Sequence, residues 1–245
     1  MKQCLFEINK NEPLAADTYE MILAGDTAEV TAPGQFVNIA LPGCYLRRPI
    51  SVCDRADGRL TLLYKIVGRG TAQMASLEPG QTLDVLTGLG NGFSLEEAGE
   101  RPLLAGGGIG AAPLYWLARE LISRGARPHA VLGFNRAADS FYGDRFAALG
   151  CGVTLATADG SAGLRGFVTD AMAGLAYSYV YACGPEAMLR AVGERMSGEG
   201  QFSFEARMGC GFGACMGCTR ETTAGPRRVC KDGPVFRKGE ILWDG

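Results

Sequence analysis

Leu103-Leu-Ala-Gly-Gly-Gly-Ile-Gly-Ala-Ala-Pro113 is the stretch on which the fold turns. Its first three residues read as a short buried strand. The glycine run after them opens a helix, because Leu114, Leu117, Leu121 and Ile122 recur at helical spacing up to Arg124 and stop before Gly125. A glycine turn between strand and helix lets a pyrophosphate approach the helix N-terminus. Gly106-x-Gly108-x-x-Ala111 is a form of the dinucleotide fingerprint, and Gly106, Gly107, Gly108 and Gly110 are its candidate contacts. A tight strand–helix turn with no ligand is the other reading.

Downstream, Ala130-Val-Leu-Gly-Phe, Val153-Thr-Leu-Ala-Thr and Tyr179-Val-Tyr-Ala read as further strands, with helical segments between them. That alternation implies a parallel α/β sheet. Cys183-Gly-Pro185 ends one strand and opens a helix, with Pro185 at its first turn. In a parallel sheet this places Cys183, Gly184 and Pro185 at the carboxyl edge, where ligands bind. The acidic residue that would hold a ribose about 20 positions after the fingerprint is absent, and Asn135-Arg136 follows the second strand instead. Arg136 meets a 2′-phosphate or is solvated, so NAD and NADP both stay open. The one histidine, His129, has no acidic neighbour in sequence and reads as structural or exposed. Hydride transfer needs stacking geometry more than a general base.

Upstream the texture differs. Tyr19-Glu-Met-Ile-Leu, Gln35-Phe-Val-Asn-Ile-Ala and Arg59-Leu-Thr-Leu-Leu-Tyr-Lys-Ile-Val are short and apolar-rich, and several alternate with period two. Ala32-Pro-Gly, Leu41-Pro-Gly, Ala56-Asp-Gly and Glu78-Pro-Gly separate them as turns. Such a pattern implies a small antiparallel β-barrel. Arg47-Arg-Pro-Ile-Ser51 follows a barrel-like strand. Arg48 can pair with a pyrophosphate through its fork of donors, and Ser51 can hydrogen-bond a flavin ring. Gly68-Arg-Gly-Thr71 precedes a short helix expected over Ala72 to Leu77, and offers free N–H groups to a phosphate. For Arg-Pro-Ile-Ser alone, a plain surface turn is the competing reading.

Nine cysteines are present. Cys4, Cys44, Cys53, Cys151 and Cys183 are scattered and read as small buried hydrophobes. The other four run Cys210-x4-Cys215-x2-Cys218-x11-Cys230. Local clustering points to a metal centre rather than a disulfide framework. The first three match the plant-type [2Fe–2S] spacing. Gly209, Gly211, Gly213, Ala214 and Gly217 remove side chains that would keep the backbone from wrapping the cluster. Structural zinc is the alternative, but it usually takes two C-x2-C knuckles and only one is present. The x11 gap is too short for a whole plant ferredoxin.

With 47% apolar and 20% charged residues, the composition is that of a globular chain with no disordered tract. A net charge of −2 and the lack of a dense Lys/Arg run give no footprint for nucleic acid. The uncharged run Ala105 to Ala118 is too short to cross a bilayer and carries four glycines and a proline. Met-Lys-Gln-Cys-Leu-Phe-Glu has no signal-peptide core, so a soluble, cytoplasmic chain is expected, with no membrane or nucleic-acid partner. The expected organisation is a flavin-binding β-barrel over 1–98, a nucleotide-binding α/β domain over 99–200 and a cluster-binding lobe over 201–245.

Together, Arg-x-x-Ser, Gly-Thr, the glycine loop and Cys-Gly-Pro resemble the ferredoxin–NADP reductase superfamily. Leu46-Arg-Arg-Pro-Ile-Ser51, Asp159-Gly-Ser161, Gly166-Phe-Val-Thr-Asp170, Met208-Gly-Cys-Gly-Phe-Gly-Ala-Cys-Met-Gly-Cys218 and Val229-Cys-Lys-Asp-Gly-Pro-Val-Phe236 resemble the electron-transfer subunits of NAD-dependent (class 1B) dihydroorotate dehydrogenases. The resemblance covers essentially the whole chain. It implies FAD held by Arg48, Pro49, Ile50 and Ser51, by Leu63, Tyr64 and Lys65, and by Gly70 and Thr71. It implies NAD at the glycine loop, and Cys210, Cys215, Cys218 and Cys230 as ligands of a [2Fe–2S] cluster. It further implies a heterotetramer of two such chains with two catalytic, FMN-containing subunits, acting in pyrimidine synthesis. Ile50 stands where superfamily members often have Tyr. A reductase subunit of another complex (sulfite reductase, hydrogenase or ferredoxin:NADP type) and a zinc-stabilised nucleotide-binding regulator are the rival readings.

Overall fold

A computed structural model describes residues 1–243. Asp244 and Gly245, the end of the expected cluster lobe, lie outside the described residues. Six strands close into an antiparallel barrel in the order β1-β2-β5-β4-β3-β6. They are β1 (Lys2–Ala15), β2 (Thr18–Ala24), β3 (Phe36–Ile39), β4 (Arg48–Ala56), β5 (Arg59–Lys65) and β6 (Thr82–Leu89). Alternation along β6 sends every second side chain inward, and Phe6, Ile8, Leu23, Val37, Ile39, Leu62 and Val85 fill the interior. A helix, α1 (Arg69–Ala75), links β5 to β6. It starts three residues earlier than expected because the Thr71 side chain, not a residue further on, organises its first turn. Thr71 Oγ1 accepts from the backbone N–H groups of Val67 and Gly68.

The second half is a seven-stranded sheet in the order β10-β9-β8-β7-β11-β12-β15, with β15 (Val235–Arg237) at one edge. Its core strands are β7 (Pro102–Gly107), β8 (His129–Phe134), β9 (Gly152–Thr157), β10 (Leu164–Arg165), β11 (Tyr179–Cys183) and β12 (Gly200–Ser203), all parallel. Both faces are covered. Helices α2 (Ala111–Ser123) and α3 (Gly143–Leu149) pack on one side, α4 (Val168–Ala171) and α5 (Glu186–Arg195) on the other. This double cover is why β7 and β11 are buried at every position. The chain leaves β7 in one direction to build β8, β9 and β10, then returns to its other side for β11. The switch point between β7 and β11 opens a crevice at their carboxyl ends. There Gly106 lies in register opposite Cys183.

Rich in glycine and cysteine, the stretch from Gln201 reads in sequence as a loop-built lobe with little strand. The chain instead lays β12 against β11, forms a small hairpin of β13 (Thr219–Arg220) and β14 (Arg227–Arg228), and returns as β15 (Val235–Arg237) antiparallel to β12. Every residue of β12 is buried, including Gln201, whose Nε2 donates to the Ser94 carbonyl at 2.9 Å. Polar residues satisfied this way hide a central strand from a hydrophobicity reading. Among the described residues no helix is long and apolar enough to cross a membrane.

Candidate functional site

Two clefts and a cysteine-bearing loop lie side by side. The smaller cleft, about 300 Å³, is walled by the start of β4 and the end of β5. Arg48 to Ser51 come from the first, Leu63 to Lys65 from the second, and Thr71 closes one end. Of the adjacent arginines, Arg47 is engaged: its guanidinium grips Asp84 with bonds of 3.0 and 2.9 Å. Arg48 makes no ion pair among the described residues and bonds only the carbonyls of Leu46 and Arg47. Its guanidinium lies over Gly70, where any Cβ would collide with it. Gly70 therefore leaves room for an arginine free to take a phosphate, although it does not itself line the cleft. Tyr64 is buried against Tyr19, and its hydroxyl donates to Asn11 at 2.7 Å, which fixes that wall.

The larger cleft, about 600 Å³, lies over the switch point. Gly107, Gly108, Gly184 and Pro185 line it. Gly110 and Cys183, expected on the nicotinamide side, face the smaller cleft instead, and Gly106 lines neither. Any Cβ on Gly110 would strike the Cys183 backbone, so the glycine turn and the end of β11 meet only because this position is bare. Burial, with the Glu205 carboxylate adding to it, pushes the Cys183 thiol up to about 12 and keeps it neutral. Arg136 is engaged with Asp139, at 3.2 Å, and Asp139 lines the cleft. His129 lies away from both clefts, with Nε2 2.8 Å from the Thr154 hydroxyl.

The clefts meet at Lys65, Ile109 and Glu205. Glu205 was missed in the sequence, as were Thr18, Asp139, Phe167 and Arg195 of the larger cleft. The residue is exposed where the two cavities join, and the protein around its carboxylate desolvates it enough to raise its pKa. The only signal was its place just past β12, at the carboxyl edge of the sheet.

Beyond Glu205, Ala206 and Met208 still line the smaller cleft, and the chain then enters the cysteine loop. The thiols fall into two pairs. Cys210 and Cys215 are knit by short contacts: the Cys215 N–H points at the Cys210 sulfur at 3.4 Å and the Cys210 N–H at the Cys215 sulfur at 3.5 Å. Cys218 and Cys230 form the second pair, the Cys230 N–H reaching the Cys218 sulfur at 3.4 Å. The hairpin β13–β14 accounts for the x11 gap, since it returns the chain so that the Val229 N–H donates to the Cys218 carbonyl at 3.1 Å. Arg228 braces the turn, bonding Asp232 and donating to the Gly213 carbonyl at 2.9 Å. Burial opposes ionisation of Cys210, but the N–H groups of Phe212, Cys215 and Ala214 outweigh it and bring the thiol down to about 6. Cys230 is pushed up to about 12 by burial and by its Cys218 neighbour.

Among the described residues, no three His, Cys, Asp or Glu side chains converge as ligands of a single ion. Two thiol pairs, with backbone N–H groups aimed at sulfur, fit the two ends of a two-iron rhomb. Gly209 belongs to the fit: a Cβ there would lie 3.1 Å from the Cys215 sulfur.

Residues 205–242 match the sequence family described as the iron-sulfur cluster binding domain of dihydroorotate dehydrogenase B. The chain is 48% identical, over 80% of each sequence, to the dihydroorotate dehydrogenase B (NAD(+)) electron transfer subunit of Bacillus caldolyticus. With that of Shouchella clausii (strain KSM-K16) it shares 44% over 98% of each. This chain belongs to that family of electron transfer subunits. It is thus an oxidoreductase component that works with a catalytic partner. The fold agrees: a chain in the structure of the NADH-dependent reduced ferredoxin–NADP oxidoreductase superposes with a TM-score of 0.88, covering 97% of this chain and 90% of that one at 30% identity. Phthalate dioxygenase reductase shares the fold at a TM-score of 0.61 and 23% identity, over 78% of this chain and 63% of its own.

Proposed function

We propose that this subunit exchanges hydride with NAD(H) in the larger cleft and passes electrons singly, through the cysteine loop, to and from a catalytic subunit that interconverts dihydroorotate and orotate in pyrimidine synthesis. The observation that carries this reading is adjacency in order. The two clefts share Lys65, Ile109 and Glu205, and the wall of the smaller one runs through Met208 into Cys210. FAD supplies the exchange between a two-electron hydride and single electrons, and the [2Fe–2S] cluster accepts them one at a time.

This chain's residues bind and orient. Arg48 takes the flavin pyrophosphate, Ser51 bonds the ring, and Leu63 to Lys65 hold its edge. The Gly107–Gly108 backbone admits the nicotinamide pyrophosphate at the N-terminal end of α2. Cys210, Cys215, Cys218 and Cys230 ligate the cluster. The partner carries FMN, the assembly is a heterotetramer of two plus two, and it works in the cytoplasm. Phe212 and Met216 flank the cysteines at 42% and 51% exposure, which suits a docking rim where electrons leave.

Reconstitution tests the reading. The isolated chain reduces artificial dyes with NADH but does not convert dihydroorotate with NAD. Adding the catalytic subunit confers the second activity, which needs the four cysteines. If the lone chain makes orotate from dihydroorotate, the assignment is wrong.

A further inference from the structure

Strand β3 has two faces. Val37 and Ile39 point into the barrel core. Phe36 and Asn38, with the opposite parity, point away from it. Phe36 lines the smaller cleft and shares one hydrophobic cluster with Cys218 and Cys230. Asn38 is 1% exposed, and its Nδ2 donates to the Cys210 carbonyl at 3.1 Å. Across the β3–β4 ladder Asn38 sits opposite Pro49, which lines the same cleft. Its own carbonyl accepts from Arg47, already clamped on Asp84. Gly211 approaches so closely that a Cβ there would collide with the Asn38 amide nitrogen.

The amide is fixed in one orientation, because the flipped form would set two acceptor oxygens against each other. That orientation leaves Asn38 Oδ1 buried with no partner among the described residues. Orphaned buried acceptors are rare, and a leucine of similar size would fill the space without one. The position thus keeps an amide at a cost to the fold, and the one bond the amide makes is to a cluster ligand.

We propose that Asn38 is a positioning residue for electron transfer: it holds the Cys210 end of the cysteine loop on the strand whose neighbour forms the flavin wall. The proposal rests on the flavin and cluster assignments above. The outer face of β3, through Phe36 and Asn38, then sets how the cysteine loop is seated relative to that wall. Nothing else about hydride exchange depends on it, since Asn38 lines neither cleft.

The test uses the full chain with its cofactors, as Asn38→Leu and as Asn38→Asp, which keeps the shape but cannot donate when ionised. Flavin content, iron content and the rate of flavin reduction by NADH should match the native protein. The electron paramagnetic resonance spectrum and midpoint potential of the dithionite-reduced cluster should shift. Cluster reduction by NADH should slow about tenfold, since ångström-scale misplacement of a reacting group costs roughly one to two orders of magnitude. Native spectrum, potential and rate in both variants would overturn the proposal. So would loss of the cluster from both with flavin retained, which would make Asn38 an assembly anchor only. A native protein without flavin or iron would instead overturn the functional reading itself.

Discussion

At the scale of single residues, chemistry was legible where a residue type has few other uses. Four clustered cysteines among glycines have little reason to exist without a metal, and they fall into two pairs, each joined by a backbone N–H aimed at its neighbour's sulfur. Among the arginines, the Arg-x-x-Ser reading puts the pyrophosphate on Arg48 rather than Arg47; the Asp84 clamp engages Arg47 and leaves Arg48 without an ion pair among the described residues. Because Arg48 has no carboxylate to satisfy, Arg48→Ala should weaken FAD binding by about ten- to a hundredfold, corresponding to a charge-assisted bond of roughly 1.5–3 kcal/mol. Flavin titration checks this, and an unchanged affinity would make Arg48 a surface residue. Glu205 was illegible because its role comes from where β12 ends, and that strand is itself masked by Gln201 and Ser203. For the cysteines, Cys215→Ser or Cys218→Ser should abolish iron binding while leaving flavin content intact, since the proposed flavin contacts lie on β4, β5 and α1. Iron and flavin analysis of the purified variants decides the point, and full iron retention in both would contradict it.

At the scale of elements, periodicity located β2, β5, β7, β8, β9, β11 and α2 to within a few residues. It missed β1, a strand of 14 residues in which only Phe6 and Ile8 are fully buried. A strand exposed for most of its length carries too little apolar pattern to read. What joins the halves was also invisible, because it depends on residues 122 and 125 positions apart. Glu20 on β2 is almost fully buried, accepting from the Tyr142 hydroxyl and the Arg145 guanidinium at 2.7 Å each and from Lys10 at 2.9 Å. The backbone adds a second tie, Ala16 N–H to the Ala138 carbonyl at 3.0 Å. Tyr142 is held at φ 66°, in the left-handed region that bulky residues rarely adopt, so the contact constrains the backbone as well. The segment so fixed carries Asp139 and Phe141 of the larger cleft. Glu20→Gln should therefore lower stability by roughly 1.5–3 kcal/mol at neutral pH, the worth of hydrogen bonds to a charged group whose partners Lys10 and Arg145 stay partly exposed, and raise the KM for NADH. Burial raises the Glu20 carboxyl, but the donors from Tyr142, Lys10 and Arg145 outweigh it, so its folded pKa lies below the ordinary 4.5. A carboxyl lowered on folding stabilises fully above its ordinary value and loses that contribution as pH falls through the folded one. Melting curves of native and variant protein should accordingly converge in acid, and a gap that stays constant with pH would contradict the role given to Glu20.

At the scale of the whole molecule, the architecture was legible because its two halves write different patterns: short strands with Pro-Gly turns first, then strands alternating with helices. The placement of the cluster segment was not, since β12 and β15 join it to the nucleotide-binding sheet while Asn38 ties it to the barrel. It thus touches both halves and presents Phe212 and Met216 outward. Phe212→Asp combined with Met216→Asp should weaken assembly with the catalytic subunit while leaving NADH-driven dye reduction unchanged. Size-exclusion chromatography of the mixed subunits reads the first effect and a dye assay the second; a variant that assembles normally would move the docking surface elsewhere. On the proposed function, one chain carries electrons from NADH in the larger cleft to a cluster on the four cysteines. Anaerobic titration of the purified native chain with NADH, followed by low-temperature electron paramagnetic resonance, checks this. NADH alone should raise the signal of a reduced [2Fe–2S] cluster, and Cys218→Ser should abolish this signal while its flavin still bleaches. An NADH-bleached flavin with no such signal in the native chain would contradict it.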